Sequence, residues 1–276
     1  MSAWLFRAPL HRLSVLKDRI KVEHSMNTTL TALIVFGCLI AAVLVGRAIR
    51  TLLPDEHVTS DSRDAIKLAM GLVATMSALV LGLLVSSAKG SYDTERSEVI
   101  QMSAKVAFLD RVLAAYGPEA ANVRALLRQS VDQGILQMWP GELRRPVDRA
   151  ANVQAGNLMY AAIHNLSPQN DTQVGLKTQA ATLAVDLAQV RSLLAAQSVP
   201  SISMPMLIIL VLWLVVIFLG YSVLAPPNAT AVLALMVSAL AVSGAIFLIL
   251  ELDEPFGGLI GISSEPMLNA LHQLAH

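Results

Sequence analysis

The chain has 276 residues, 55% hydrophobic and 14% charged, with a formal net charge of zero and a mean hydropathy of +0.60. A soluble domain usually carries about 25% charged residues, so the composition excludes an ordinary soluble globular protein, and the neutral balance gives no basis for nucleic acid as a partner. The single cysteine, Cys38, excludes an intramolecular disulfide and a cysteine-rich metal site.

Residues 1–27 form a polar tail in which Leu10, Leu13, Leu16, Ile20 and Val22 are mixed with Arg12, Lys17, Arg19 and Lys21. No compact apolar core marks a cleavable signal. The pattern predicts a short basic amphipathic helix on a membrane surface, and translation beginning at Met26 is the alternative.

Four stretches, Thr28–Gly46, Leu68–Ala88, Met206–Leu224 and Ala229–Leu250, contain no Asp, Glu, Lys, Arg or His. About 20 helical residues rising about 1.5 Å each cross a hydrocarbon core of about 30 Å, so each stretch is long enough to span. The predicted fold class is an all-α membrane protein with four transmembrane helices and a helical bundle inserted between spans two and three. Its parts are the tail 1–27, spans one and two over 28–88, the insert 89–205, spans three and four over 206–250, and a C-terminal acidic loop with a short helix over 251–276. Cys38, inside span one, is a small lipid- or helix-facing residue, because apolar surroundings disfavour the thiolate.

The link Thr51–Lys67 offers Ser60, Asp61 and Ser62 as N-cap residues for the second span. From Ser62 to Tyr116 there is no proline, and Val99, Met102, Val106, Leu109, Leu113 and Tyr116 follow at alternating gaps of three and four. That is the seam of a helix packed along another helix, and it predicts one rod of roughly 80 Å. Gly117-Pro118 ends the rod and opens a second insert helix to about Trp139, before Pro140-Gly141. A third covers about Val147–Leu166, and Ser167-Pro168 reads as the cap and first turn of a fourth. The fourth repeats the seam at Leu176, Ala180, Leu183, Leu187, Val190 and Leu194, and Val199-Pro200 with Pro205 closes the insert. The two seams are expected to pack antiparallel, within one subunit or across copies.

Lys and Arg near span ends number eight on the side of the tail and insert (Arg7, Arg12, Lys17, Arg19, Lys21, Lys89, Arg96, Lys105) and four opposite (Arg47, Arg50, Arg63, Lys67). The excess predicts cytoplasmic termini and a cytoplasmic insert. A start at Met26 would change the count to three against four.

There is no metalloprotease spacing, phosphate-binding glycine loop or serine elbow. The six histidines are scattered, and His164 reads as a surface or bundle-edge residue. No enzyme activity, cofactor or metal is expected. Spans without an ionisable group also argue against proton-coupled transport. Span two carries small residues at Gly71, Thr75, Ala78, Gly82 and Ser86, and span four at Ala234, Ser238, Ala241 and Ala245. Such stripes let helices approach closely in lipid. Alternatively, span two lines a narrow pore, with Leu79 and Leu83 as an apolar constriction, Ser86 beyond them and Lys89 at the mouth.

Glu251, Asp253 and Glu254 end span four and oppose the helix dipole, at a few tenths to about 1 kcal/mol each when exposed. A compensating Arg or Lys from another helix is expected, a bound metal ion being only the alternative. The motif Glu251, Asp253, Glu254, Pro255, Phe256, Gly258 is therefore assigned a structural role.

The run Leu252-Asp253-x-Pro255-Phe256-x-Gly258-x-Ile260-x-Ile262-Ser263-x-x-Pro266 resembles the closing motif of the bestrophin-like family of bacterial membrane proteins. Ala78-Leu79-Val80-Leu81-Gly82-Leu83-Leu84-Val85-Ser86 resembles that family's second span, and the likeness covers about Leu33–Leu271. Bestrophins proper are similar more distantly, through Glu254-Pro255-Phe256-Gly257 and Ser91-Tyr92-Asp93. The resemblance implies an oligomeric, generally anion-conducting channel of five copies in a bacterial plasma membrane, with span two lining the pore and small ions and the lipid bilayer as partners. The chain departs from bestrophins at Thr94, Glu95 and Arg96, where they carry tryptophans, and at Gly258–Ser263, where they carry an acidic or Asn-Asp-Leu-Pro stretch. The alternative function is a non-conducting scaffold whose insert binds cytoplasmic partners.

Overall fold

The computed structural model describes residues 10–52, 60–139, 149–197, 202–226 and 228–274. Among them the chain forms helices α1 (Leu10–Leu52), α2 (Ser60–Tyr116), a 3-10 turn (Pro118–Ala120), α3 (Ala121–Met138), α4 (Arg149–His164), α5 (Asp171–Gln197), α6 (Met204–Leu224), α7 (Ala229–Leu252) and α8 (Glu265–Gln273), and no strand. Four are long and apolar enough to cross a membrane: Thr28–Leu52 within α1, Arg63–Tyr116 within α2, α6 and α7. From Leu10 the basic stretch is not a separate short helix but the first part of α1, because no glycine or proline interrupts it before Gly37. The expected breaks at Pro140-Gly141 and Val199-Pro200, Pro227 and the tail up to Pro9 lie outside the described residues.

The chain divides into two compact units. The first comprises α1, α2 up to Gly90, α6 and α7. Its core joins Val35, Leu39 and Val43 of α1 to Leu207, Leu210, Leu214 and Phe218 of α6 and to Ala239, Ile246 and Ile249 of α7, with Leu84 and Ala88 of α2. The close crossing lies where α1 meets α6. A Cβ on Gly46 would stand 2.7 Å from the Leu219 carbonyl oxygen and 2.7 Å from the Ser222 Cβ, while the Ser222 hydroxyl donates to the Val43 carbonyl at 2.6 Å. Met70 of α2 fills the space left by Gly220 on α6, so spans two and three do meet. The small-residue stripes do not make these contacts. Thr75, Ala78, Gly82 and Ser86 on α2 and Ala234, Ser238 and Ala241 on α7 are exposed within the chain.

The second unit holds α2 from Ser91, α3, α4, α5 and α8. The two seams pack antiparallel here. Gln173 Nε2, near the start of α5, donates to the carbonyl of Tyr116 at the end of α2, at 2.8 Å. Further along, Lys105 pairs with Asp186 at 2.9 Å. Val99, Met102, Val106, Leu109, Leu113 and Tyr116 are all buried, against Ala180, Leu187 and Leu194 among others. Arg124 of α3 holds Asp110 of α2 through two bonds of 2.7 and 2.9 Å, and this carboxylate raises the guanidinium above its ordinary value. Arg191 on α5 lies near Gly156 of α4, and burial lowers its pKa.

The start of α5 differs from expectation. Ser167 and Pro168 precede the helix, and Asn170 caps it, its Oδ1 accepting the Gln173 N–H at 2.9 Å while Gln173 Oε1 accepts the Gln169 N–H at 2.7 Å. Asn170-x-x-Gln173 has the spacing of a capping box, with the return bond made to the amide of Gln169, one residue before the cap. It prevails because it satisfies two orphan amides, whereas Ser167 makes no such bond. Lys177 then donates to the carbonyls of His164 and Leu166, both at 2.7 Å, placing a cation at the negative end of α4.

Candidate functional site

The chemistry of α2 follows from its two opposite faces. Met70, Ser77, Leu84, Ala88 and Glu95 are buried at gaps of seven, seven, four and seven, in register with the seam that begins at Val99. The seam therefore runs from Met70 to Tyr116. Ser77 and Glu95 conceal it in the sequence by placing polar residues where apolar ones are expected. The Ser77 hydroxyl spends its hydrogen on the Val73 carbonyl at 2.8 Å, within its own helix.

The opposite face carries Leu68, Leu72, Met76, Leu79 and Leu83, all exposed. Leu79, Leu83 and Ser86 share this face at gaps of four and three, and Lys89 sits at its edge. Leu79 is 75% exposed and Leu83 58% exposed, and a Cβ added at Gly82 or Gly90 would meet nothing within 4 Å. The four candidates are thus brought onto one side of one helix, and no other described span of the same chain covers them. Cys38 on α1 is likewise exposed.

The motif after α7 is built around Glu251. Glu251 is buried, and its carboxylate accepts the backbone N–H of Leu259 as the chain turns back. Gly258 makes that turn fit, because a Cβ there would fall on the Glu251 carboxylate. The Asp253 N–H closes the helix on the carbonyl of Ile249 at 3.2 Å. Asp253 and Glu254 are partly exposed.

Pro255 and Phe256 fasten the following segment to α3. The Trp139 ring meets Phe256 edge-on at 5.5 Å and 79°. Trp139 Nε1 donates to the Ile262 carbonyl at 2.7 Å, and the Ile262 N–H donates to the Pro255 carbonyl at 2.7 Å. Met267, Ala270 and Leu274 of the C-terminal segment enter the same core. Trp139, missed as a site residue, was marked only by its place before a Pro-Gly break. Among the described residues no group of three His, Cys, Asp or Glu is placed to hold a metal ion. His164 is exposed at the end of α4, against the edge of Tyr160.

Four apolar helices of membrane-crossing length, joined to a packed helical domain, define a multi-span membrane protein. The family model of the bestrophin-like domain matches residues 11–267, and the chain belongs to that family. No curated protein matches the chain. Two crystal structures of single-substitution variants of a bacterial bestrophin homologue from Klebsiella pneumoniae are similar. One has a TM-score of 0.63 at 14% identity, covering 86% of this chain and 97% of that one. The other has a TM-score of 0.65 at 13% identity, covering 88% and 97%. At these identities the likeness is one of fold.

Proposed function

We propose that the protein is an oligomeric ion channel of a bacterial plasma membrane in which the exposed face of α2 lines the pore. The observation that carries this reading is the outward row Leu79, Leu83 and Ser86, with Lys89 at its edge, on a helix whose opposite stripe is buried throughout. A ring of copies, five if it follows bestrophins, surrounds a lumen with these residues. Leu79 and Leu83 form an apolar constriction that lacks hydrogen-bond partners for water, and Lys89 favours anions at the mouth. The charge asymmetry of the sequence supports cytoplasmic termini and a cytoplasmic second unit. The non-conducting scaffold draws on the same exposed face, with lipid instead of a lumen against Leu79 and Leu83.

Purification in detergent, mass measurement and ion flux from liposomes test the proposal. Chloride flux through an assembly of several copies is expected. Liposomes that stay tight to both chloride and potassium, with the protein assembled, favour the scaffold.

A further inference from the structure

The loop that follows α7 has an unusual composition. Between Phe256 and Ser263 the chain reads Gly257-Gly258-Leu259-Ile260-Gly261-Ile262, with no polar side chain, where a loop in water is ordinarily rich in polar turn residues. Ile262 turns inward and is buried. Leu259 and Ile260 do not. Both are exposed, and Leu259, at 87%, is the most exposed large apolar side chain among the described residues. The loop nevertheless stays close to the span. Glu251 directly follows the charge-free stretch that ends at Leu250, and its carboxylate accepts the Leu259 N–H. Gly258–Ile260 accordingly belong to the same compact unit as α7.

We propose that Leu259 and Ile260 form a membrane finger, held in the headgroup layer at the end of α7 with its apolar side chains against the lipid acyl chains. Height is the argument. The stretch Ala229–Leu250 is about 33 Å long at about 1.5 Å per residue, which matches a hydrocarbon core of about 30 Å and places Glu251 at its edge. The bilayer measures about 40–45 Å including headgroups, so each headgroup layer is about 5–7 Å deep. A hydrogen bond keeps its two heavy atoms about 3 Å apart. Leu259 is therefore fixed at the level of Glu251, inside that layer. There an apolar side chain is stabilised by reaching the acyl chains, whereas facing water it would stay hydrated. Leu248, one turn before Glu251, is half exposed, so the apolar outer surface of α7 already extends to this end of the helix. Glycine at 258 and 261 leaves no flanking polar side chain to be desolvated. The proposal needs α7 as a span and is independent of whether the protein conducts.

A depth measurement on the full-length protein tests the finger. In a Cys38→Ser background, which removes the single cysteine, Leu259→Cys carries a nitroxide label. Glu265→Cys, at the exposed start of α8, serves as the reference. Neither substitution removes a backbone N–H, so the Leu259 bond to Glu251 is retained. The protein is reconstituted in vesicles of phosphatidylethanolamine and phosphatidylglycerol. Collisions of the label with oxygen, which concentrates in hydrocarbon, are compared with collisions with a nickel chelate that stays in water. The ratio of oxygen to nickel accessibility is expected to be several-fold higher at 259 than at 265. Labelled Ile260→Cys supplies the reading if the Leu259→Cys protein does not fold. A label at 259 with the ratio of the reference faces water. A label closed to both reagents is covered by a second copy or another protein. Either result, at 259 or at its substitute 260, overturns the proposal. Ion flux from the same vesicles reports on the channel reading separately.

Discussion

The Glu251 carboxylate and the Gly258 Cα occupy adjoining space, so that a side chain at residue 258 would displace the carboxylate from the turn after α7. The buried carboxylate is held on the Leu259 N–H. A hydrogen bond to a charged group contributes about 1.5–3 kcal/mol, and Gly258→Ala is expected to lose most of that by displacing the carboxylate. Glu251→Gln keeps the shape and an acceptor oxygen and should lose less than Glu251→Ala. Thermal unfolding of the purified protein ranks the three. Equal melting of Gly258→Ala and wild type would remove the turn from the list of structural elements.

In the second unit the apolar seam outweighs its ion pair. Leu109 is fully buried between the helices, and truncation of such a leucine costs about 2–5 kcal/mol. Lys105 and Asp186 stay partly exposed, and a pair of that kind contributes no more than about 1 kcal/mol. Leu109→Ala should therefore lower the melting temperature clearly more than Lys105→Ala. The reverse order would show that the antiparallel packing of α2 on α5 is electrostatic in origin.

These two elements show what the sequence discloses. Periodicity and apolar length are properties of one helix, so both seams and the four spans are legible in the sequence. Contacts between distant segments leave no such trace. Trp139 and Ile262 are joined by a hydrogen bond across 123 residues, and nothing in either local sequence marks the partner. The close crossing of α1 and α6 depends on Gly46, which ends an apolar stretch and belongs to no stripe. The exposed small residues of α2 and α7 formed the conspicuous pattern and took no part in packing within the chain. Asn170 was overlooked because Ser167-Pro168, three residues earlier, offers the same local signal.

Two glycines on the crossing helices should respond differently to alanine. At Gly46 the obstacles are the Leu219 carbonyl and the Ser222 Cβ, which move only with the backbone of α6. Overpacking of this kind costs about 1–3 kcal/mol, more than the roughly 0.6 kcal/mol typical of a hydrogen bond between membrane helices such as Ser222 to Val43. At Gly220 the obstacle is the flexible end of Met70, which can change rotamer. Gly46→Ala is expected to destabilise more than Ser222→Ala, and Gly220→Ala least. Denaturant titration in detergent gives the order, and a Gly220→Ala variant worse than Gly46→Ala would contradict it.

Tyr116 closes the α2 seam with its ring buried and its hydroxyl without a hydrogen-bond partner among the described residues. Leaving a buried hydroxyl unpaired carries a desolvation penalty, so Tyr116→Phe should hold or raise the melting temperature. Tyr116→Ala should lower it by opening a cavity at the end of the core. A marked loss of stability in the phenylalanine variant would mean that the hydroxyl has a partner on which the α2–α5 corner depends.

The exposed row on α2 separates conduction from scaffolding. Leu83→Ala removes part of the apolar constriction, and flux through reconstituted protein should rise because wetting the gap becomes less unfavourable. Lys89→Glu reverses the charge at the edge of the row, and reversal potentials under a salt gradient should move toward cation preference. Leu83 does not belong to the buried core, so Leu83→Ala should assemble and melt like the wild type, and a change in its flux cannot then be laid to misfolding. If α2 instead faces lipid, both substitutions leave flux at background, since altering a residue outside a lumen does not create one. A tight bilayer with Leu79→Ala and Leu83→Ala combined would therefore assign the exposed leucines to the hydrocarbon and leave the second unit as the part of the molecule to be examined for partners.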